Sequence, residues 1–458
     1  MNKIKERGKI YTPKNIVDLL LRMADYNGEK ILEKHIMDNS CGVGNILLPI
    51  IEKYCKVFLN KYSDTVLLKH HLETYIHGIE IDNGAFNECI NNLNTMVLQY
   101  GINNVKWDIK CGNALKIYKK YINKIDYVIG NPPYVNIHNL SDNKKLIKNF
   151  QFCKKGMTDL YIAFFEIGIK MLKNNDNSTL CYITPNGYLN SLSGKDLRKY
   201  IKDNNMLVTL LNFGHNQVFN ASTYTSITLL KKSNKRDYIE YFEGDFNDGC
   251  RRKYDSGAVY DSGFKFITSK CQNEIFEILN CNREVIVKNG LATLNDKYFI
   301  RDDFGFESKY IIPVIKASKG VKKYLFFPYD SDGKVIPKEV LYKDKNIKKI
   351  LIEKYSFGRT QAIKDVYKNK IWINNLILDK KSIKIGKAPI GTAVYSGFYI
   401  MSNHNIDEVQ KALNKDVFIE YIKTVGHYRS GGYMYFSSKD LSKYLTWYFY
   451  KRRGNNET

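Results

Sequence analysis

The stretch HIMDNSCGVGNILLPII, His35 to Ile51, decides how the first half of the chain reads. Ile36 and Met37 are apolar and run to Asp38. A short loop holding Gly42 and Gly44 follows, and ILLPIIEKY (46–54) then reads as the start of a helix. Strand, glycine turn and helix in that order predict a βα unit whose turn lies at the carboxyl end of a parallel strand, where ligands of open α/β sheets gather. The same alternation continues from Lys34 to about Lys232. Strands are predicted at 35–38, 75–81, 125–130, 178–184, 206–213 and 226–231, with helices at 46–54, 85–100, 158–173 and 195–203. TDLYIAFFEIGIKMLK (158–173) is apolar all round, which predicts a helix buried on the sheet. The fold class expected is α/β, a Rossmann-like doubly wound domain.

Beyond residue 240 the texture changes. EGDFNDGCRRKYDSGAV (243–259) is polar and turn-rich and reads as a linker. The rest mixes short aromatic strands (KYLFFPY, KIWINNL, AVYSGFYIM, GGYMYF) with basic loops, a mixed α+β pattern without legible topology. The expected division is therefore 1–240 and 241–458.

The 458 residues are 44% hydrophobic, ordinary for a globular chain of two or three domains. No run of eighteen apolar residues occurs, and MNKIKERGKIYTP has no apolar leader, so a cytoplasmic protein without membrane segments is expected. Nine scattered cysteines form no CxxC pair and have no histidine at ligand spacing; neither a disulfide framework nor a metal site is expected. The formal charge of +24 runs through both halves and suggests a polyanionic partner. A chain rich in Lys, Asn, Ile and Tyr also reflects A/T-rich codons, so the charge needs a site to give it meaning.

Three further elements supply one. GIEID ends the second strand with Glu80, placed to accept both hydroxyls of a ribose. CGNAL puts Asn113 before the segment leading to IDYVIGNPPYV. A dinucleotide fingerprint would need a third glycine at Leu47, so NAD and FAD are disfavoured and an adenosine-type ligand without a pyrophosphate is left. In IDYVIGNPPYV, Pro132 and Pro133 cannot continue a sheet, and each restricts the residue before it, so the acceptors of Asn131 and Pro132 are stiffly placed at the strand end.

In the order of these parts the chain resembles the S-adenosylmethionine-dependent adenine-N6 DNA methyltransferases whose target-recognition domain follows the catalytic one, the gamma-type order of Eco57I-like methylases. The likeness rests on GKIYTP (8–13), DNSCGVGN (38–45), GIEID (78–82), NPPY (131–134), YITPNGYL (182–189) and VFNASTYTSITLLKK (218–232). HYRSGGYMYFSSKDL (427–441) resembles a stretch near the end of such recognition domains. Two departures stand out: Asn39 and Ser40 replace the more frequent Pro-Ala of the glycine loop, and Asn113 replaces Asp.

The resemblance implies roles. Thr12, Asp38, Cys41, Gly42, Gly44, Glu80 and Asn113 would hold S-adenosylmethionine; Asn131, Pro132 and Tyr134 would be catalytic, with no metal. Tyr134 would stack on a flipped adenine, with Phe219, or else Tyr224, as the second wall. The second half would bind duplex DNA, with Arg359 and Arg429 as candidates, and a separate restriction endonuclease could be a partner. Three other readings compete. Glutamine-amide methyltransferases also use NPPY but carry no large basic domain after the sheet. A fused nuclease could draw on Asp296 and Glu307-Ser308-Lys309, although the first motif begins so early that no nuclease is expected before it. A DNA-binding protein with a decayed methylase domain is disfavoured by the intact NPPY and glycine loop.

Overall fold

The computed structural model describes residues 12–137, 144–214, 218–219, 224–246, 250–267, 270–401 and 404–451. It divides into two compact units, the first running to Phe266 and the second starting at Ile267.

Among the described residues of the first unit, nine strands form one sheet: β1 (Ile36–Asp38), β2 (Ile76–Glu80), β3 (Asp108–Cys111), β4 (Tyr127–Gly130), β5 (Thr179–Pro185), β6 (Leu207–Asn212), β7 (Thr225–Lys231), β8 (Tyr238–Glu243) and β9 (Arg251–Asp255). Their order is 3-2-1-4-5-7-6-8-9. The run β3-β2-β1-β4-β5 is parallel, whereas β7 lies antiparallel between β5 and β6. The chain reverses its direction of travel across the sheet between β1 and β4, which opens a crevice at their carboxyl ends.

Both faces are covered, so the central strands are buried at every position. Side chains alternate between two cores: Ile36, Ile129 and Ile183 join one, Met37, Val128 and Tyr182 the other. Helices Lys14–Met23, Leu47–Tyr62 and Asn83–Leu98 cover the first face. Leu160–Met171 and Lys195–Asp203 cover the second. Leu160–Met171 lies so close that a Cβ at Gly168 would stand 2.6 Å from Leu180 and from the Tyr182 hydroxyl. At the amino ends of the strands, His35 Nδ1 meets His77 Nε2 at 2.8 Å, and His77 Nδ1 meets Asp108 Oδ2 at 2.6 Å.

The first unit ends later than residue 240. β8 pairs parallel with β6, and β9 pairs antiparallel with β8. The helix Ser256–Asp261 then buries Val259 and Tyr260, whose hydroxyl accepts from the Leu207 N–H at 3.3 Å. The segment expected to be a linker is thus the end of the sheet. It looks polar because β9 is an edge strand with arginine and lysine facing solvent.

The second unit contains a four-stranded antiparallel sheet of β10 (Ile286–Asn289), β14 (Lys370–Ile373), β16 (Ile385–Ala388) and β18 (Phe398–Met401). A second sheet joins β11 (Ile300–Arg301), β12 (Ile311–Lys316), β13 (Val321–Phe326) and β17 (Ala393–Tyr395). A small third one pairs β15 (Leu376–Ile377), β19 (His427–Tyr428) and β20 (Met434–Tyr435). Helices Asp416–Val425 and Ser438–Thr446 bury Phe418 and Tyr444, and the turn after them buries Trp447, in the core that includes β14 and β18. Among the described residues no helix is long and apolar enough to cross a membrane.

Candidate functional site

The crevice is built from strand ends. β1 stops at Asp38, and the following turn is fixed by backbone bonds: Cys41 N–H donates to the Ile79 carbonyl at 3.0 Å, and Gly44 N–H to the Cys41 carbonyl at 2.8 Å. Gly42 adopts φ +53°, with nothing within 4 Å of where a Cβ would stand. The loop is open on that side. Gly44, at φ +93°, closes the other side, since its Cβ would stand 3.1 Å from the Cys89 sulfur.

Glu80, at the end of β2, ties the loop to its neighbour. Its two oxygens accept from the Gly42 and Asp82 N–H groups, each at 2.8 Å. The Gly112 N–H reaches the Glu80 carbonyl at 2.7 Å, so the turn after β3 is held to the same edge. Asn113 there caps the short helix Ala114–Ile117, its side-chain oxygen accepting from the Leu115 N–H at 2.9 Å.

Asp38 is 1% exposed. Burial, reinforced by repulsion from Glu80 and opposed by the Ser40 N–H, pushes its carboxyl up from 3.8 to about 7. A cation placed beside it would favour its ionised form and draw it back down.

β4 delivers the proline pair to the adjacent strand end. A Cβ at Gly130 would stand 3.2 Å from Asp38 Oδ1 and 3.3 Å from the Tyr182 ring, so three strands close in here. Next, Asn131 Nδ2 donates to Thr12 Oγ1 at 3.1 Å, and the Ser40 hydroxyl donates to the Asn131 carbonyl at 3.3 Å. Asn39 Nδ2 donates to the Tyr182 hydroxyl at 2.6 Å. Pro132 is buried. The Tyr134 hydroxyl donates to the Ile183 carbonyl at 3.2 Å, and its ring lies 6.3 Å from that of Phe219 at 71°. Burial raises the Tyr134 phenol well above its ordinary value. The segment after NPPY is pinned in turn: the Leu160 N–H bonds the Val135 carbonyl at 2.9 Å, and the Ile137 N–H bonds the Thr158 carbonyl at 3.1 Å.

Thr12, Asp38, Cys41, Gly42, Gly44, Glu80, Asn113, Asn131, Pro132, Tyr134 and Phe219 therefore meet along one sheet edge through a chain of contacts between neighbouring strand ends. Of Tyr224, the carbonyl accepts from the Asn186 N–H at 3.0 Å. Ile10 and Tyr11 of the first motif, and residues 220–223 of the late one, lie outside the described residues. Sequence reading missed Tyr182, Ser40 and Cys89 as supports; the first two could have been sought as polar atoms beside the strand ends, whereas Cys89 carries no local signal. Arg359 and Arg429 belong to the second unit and are exposed, with the Arg429 guanidinium 5.8 Å above the Tyr435 ring.

Asp296 starts the short helix Asp296–Phe299 and accepts from the Thr293 hydroxyl, while Glu307 and Lys309 lie in the loop before β12. Among the described residues no group of three or more His, Cys, Asp or Glu could hold a metal ion.

Residues 47–219 match the family described as Eco57I restriction-modification methylase. The type II restriction enzyme and methyltransferase RM.Eco57I of Escherichia coli is 25% identical over 405 residues, 73% of this chain and 39% of that protein. The type II methyltransferase M.BstVI of Geobacillus stearothermophilus is 28% identical over 246 residues, 50% of this chain and 42% of that one. The chain thus spans about two-fifths of the length of these relatives. Among solved structures, the type IIL restriction-modification enzyme MmeI in complex with DNA superposes with a TM-score of 0.59 at 16% identity, covering 93% of this chain and 63% of that one. The α/β unit has a Rossmann-like methyltransferase fold, and over residues 47–219 the chain is similar to the Eco57I-like restriction-modification methylases.

Proposed function

We propose that the chain is a site-specific DNA methyltransferase that uses S-adenosylmethionine to methylate N6 of an adenine turned out of duplex DNA. The observation that carries this reading is Asn131-Pro132-Pro133-Tyr134 at the end of β4, bonded through Ser40 to the loop that follows Asp38. The family match and the restriction-modification relatives support it.

The residues fit the methyl donor. Gly42 leaves open space on one side of the loop, and Asp38 and Glu80 are buried acids beside it. The Asn39 Oδ1 is buried without a hydrogen-bond partner among the described residues. Asp38 and the Cys41–Gly44 loop would hold the methionine part, Thr12 its carboxylate, Glu80 the ribose and Asn113 the adenine. When bound, S-adenosylmethionine supplies an electrophilic methyl group on a sulfonium.

The chain's own residues make the acceptor nitrogen reactive. An exocyclic adenine amine is a poor nucleophile, because its lone pair is delocalised into the ring. Acceptors at the Asn131 side-chain oxygen and the Pro132 carbonyl would take its two N–H bonds and draw the nitrogen toward tetrahedral geometry. Pro132 and Pro133 hold these acceptors in place before the base arrives. Tyr134 would stack on the extruded base, with Phe219 as the second wall. The second unit would read the target, with Arg359 and Arg429 as contacts. In a cytoplasmic restriction-modification system, such methylation would protect sites that a cognate endonuclease cleaves.

Purified protein incubated with labelled S-adenosylmethionine and plasmid DNA tests this, with nucleoside analysis of the product. Label in N6-methyladenine is expected. Label in N4-methylcytosine would change the base, and no label in DNA, with label in a glutamine-containing peptide supplied in a parallel incubation, would replace the reading altogether.

A further inference from the structure

Thr12 occupies a position that cofactor contact alone does not explain. It is 7% exposed and immediately precedes Pro13, which caps the helix Lys14–Met23. A residue before proline is held near extended geometry, and the helix buries Ile16, Val17, Leu20 and Leu21 in the core. The Thr12 hydroxyl is therefore a rigidly mounted group. It accepts from Asn131 Nδ2 at 3.1 Å.

A carboxamide is planar, with its oxygen and nitrogen on opposite sides of the Cγ. Tying the nitrogen to Thr12 selects one of the two amide orientations and turns Oδ1 away from Thr12. Ser40 acts at the other end of the residue, its hydroxyl bonding the Asn131 carbonyl at 3.3 Å. We infer that Thr12 is a positioning residue for Asn131, fixing which amide face meets the substrate nitrogen, and that Ser40 assists by holding the peptide between Asn131 and Pro132. The inference rests on the methyl-transfer reading above. It adds a coupling: one hydroxyl has an acceptor side turned to Asn131 and an O–H left to donate, so a ligand carboxylate bound there would stiffen the asparagine.

Thr12→Val keeps the shape and deletes the hydroxyl; Thr12→Ser keeps the hydroxyl. At saturating S-adenosylmethionine and plasmid DNA, kcat should fall about tenfold in Thr12→Val, the value of one hydrogen bond at the upper end of the usual range, and return toward wild type in Thr12→Ser. A hydroxyl serving the cofactor alone would instead raise KM for S-adenosylmethionine and leave kcat unchanged, and that result overturns the inference. A second readout does not need activity. With 15N-labelled asparagine, the Asn131 carboxamide signals, identified by their loss in Asn131→Ala, should show slowed proton exchange that disappears in Thr12→Val and persists in Thr12→Ser. Fast exchange in the wild type overturns the inference. A wild-type protein that methylates no DNA yet shows the protected amide would instead reject the proposed reaction and leave the positioning contact standing.

Discussion

Replacing Asp38 by Asn should stabilise the ligand-free first unit, and increasingly so as pH rises. Asp38 is almost wholly buried and its carboxyl is held at about 7 instead of 3.8, with burial as the leading cause. The folded state therefore prefers the protonated acid. Its contribution is fully present below pH 4 and is lost as pH rises through about 7, because the unfolded chain has already ionised there. At 1.36 kcal/mol per pH unit, the loss across that window is up to about 4 kcal/mol. Asparagine has no charge to bury, so the advantage of Asp38→Asn over wild type should grow from pH 4 to 7 and level off above. Hydrogen exchange in increasing urea, followed on peptides covering β1 and β4, measures it within this unit alone. A stability difference that stays constant from pH 4 to 8.5 would refute the reasoning. The same acid predicts a second signature: a cationic ligand should draw the carboxyl back down, so S-adenosylmethionine binding at pH 6 should release protons in wild type and none from this position in Asp38→Asn. Calorimetry in two buffers of different ionisation enthalpy reads that release.

Asn131→Ala should cut methyl transfer by at least a hundredfold, on the order of 3 kcal/mol in barrier, with little change in melting temperature, and Tyr134→Ala should cut it similarly while also lowering the melting temperature through the lost ring packing; full activity in Asn131→Ala would overturn the mechanism. His35 is held neutral down to about 4 by burial and by its neighbour His77, so its stabilising effect is present above 6.5 and lost as pH falls toward 4. His35→Gln should flatten acid destabilisation in that window by on the order of 1–2 kcal/mol, measured by urea melts at pH 4 to 7. Arg429→Ala should weaken DNA binding and reduce its salt dependence while S-adenosylmethionine affinity stays unchanged, and an unaltered salt slope would count against Arg429 as a phosphate contact.

Much of the first unit was legible in sequence because its central strands are buried on both faces. Runs such as YVIG and TLCYIT have no other plausible environment, and glycines at 42 and 44 mark a turn that bulky residues cannot make. What escaped were elements whose side chains face water or alternate weakly. β3 is half exposed, and β9 carries Arg251, Arg252 and Lys253 on an open edge. The candidate site followed the same rule. Asp38, Glu80 and Asn131 sit at strand ends that motif order can find, whereas the Asn39–Tyr182 bond joins residues far apart in the chain and exists only once β5 lies beside β4. The second unit gave strands but no topology, because its sheets are built from short segments exchanged across long sequence separations.

The late end of the sheet bears on the solubility of the protein. Arg251, Arg252 and Lys253 line the outermost strand, where unpaired backbone groups would otherwise accept a strand from another molecule. Part of the cationic surplus thus serves as a guard against edge pairing and cannot all be assigned to phosphates. A chain cut after residue 240 would sever β8 in its middle and remove β9 with it, leaving the strand Leu207–Asn212 as a bare apolar margin. Such a fragment should aggregate, whereas one ending at Phe266 keeps its guard and should remain monodisperse.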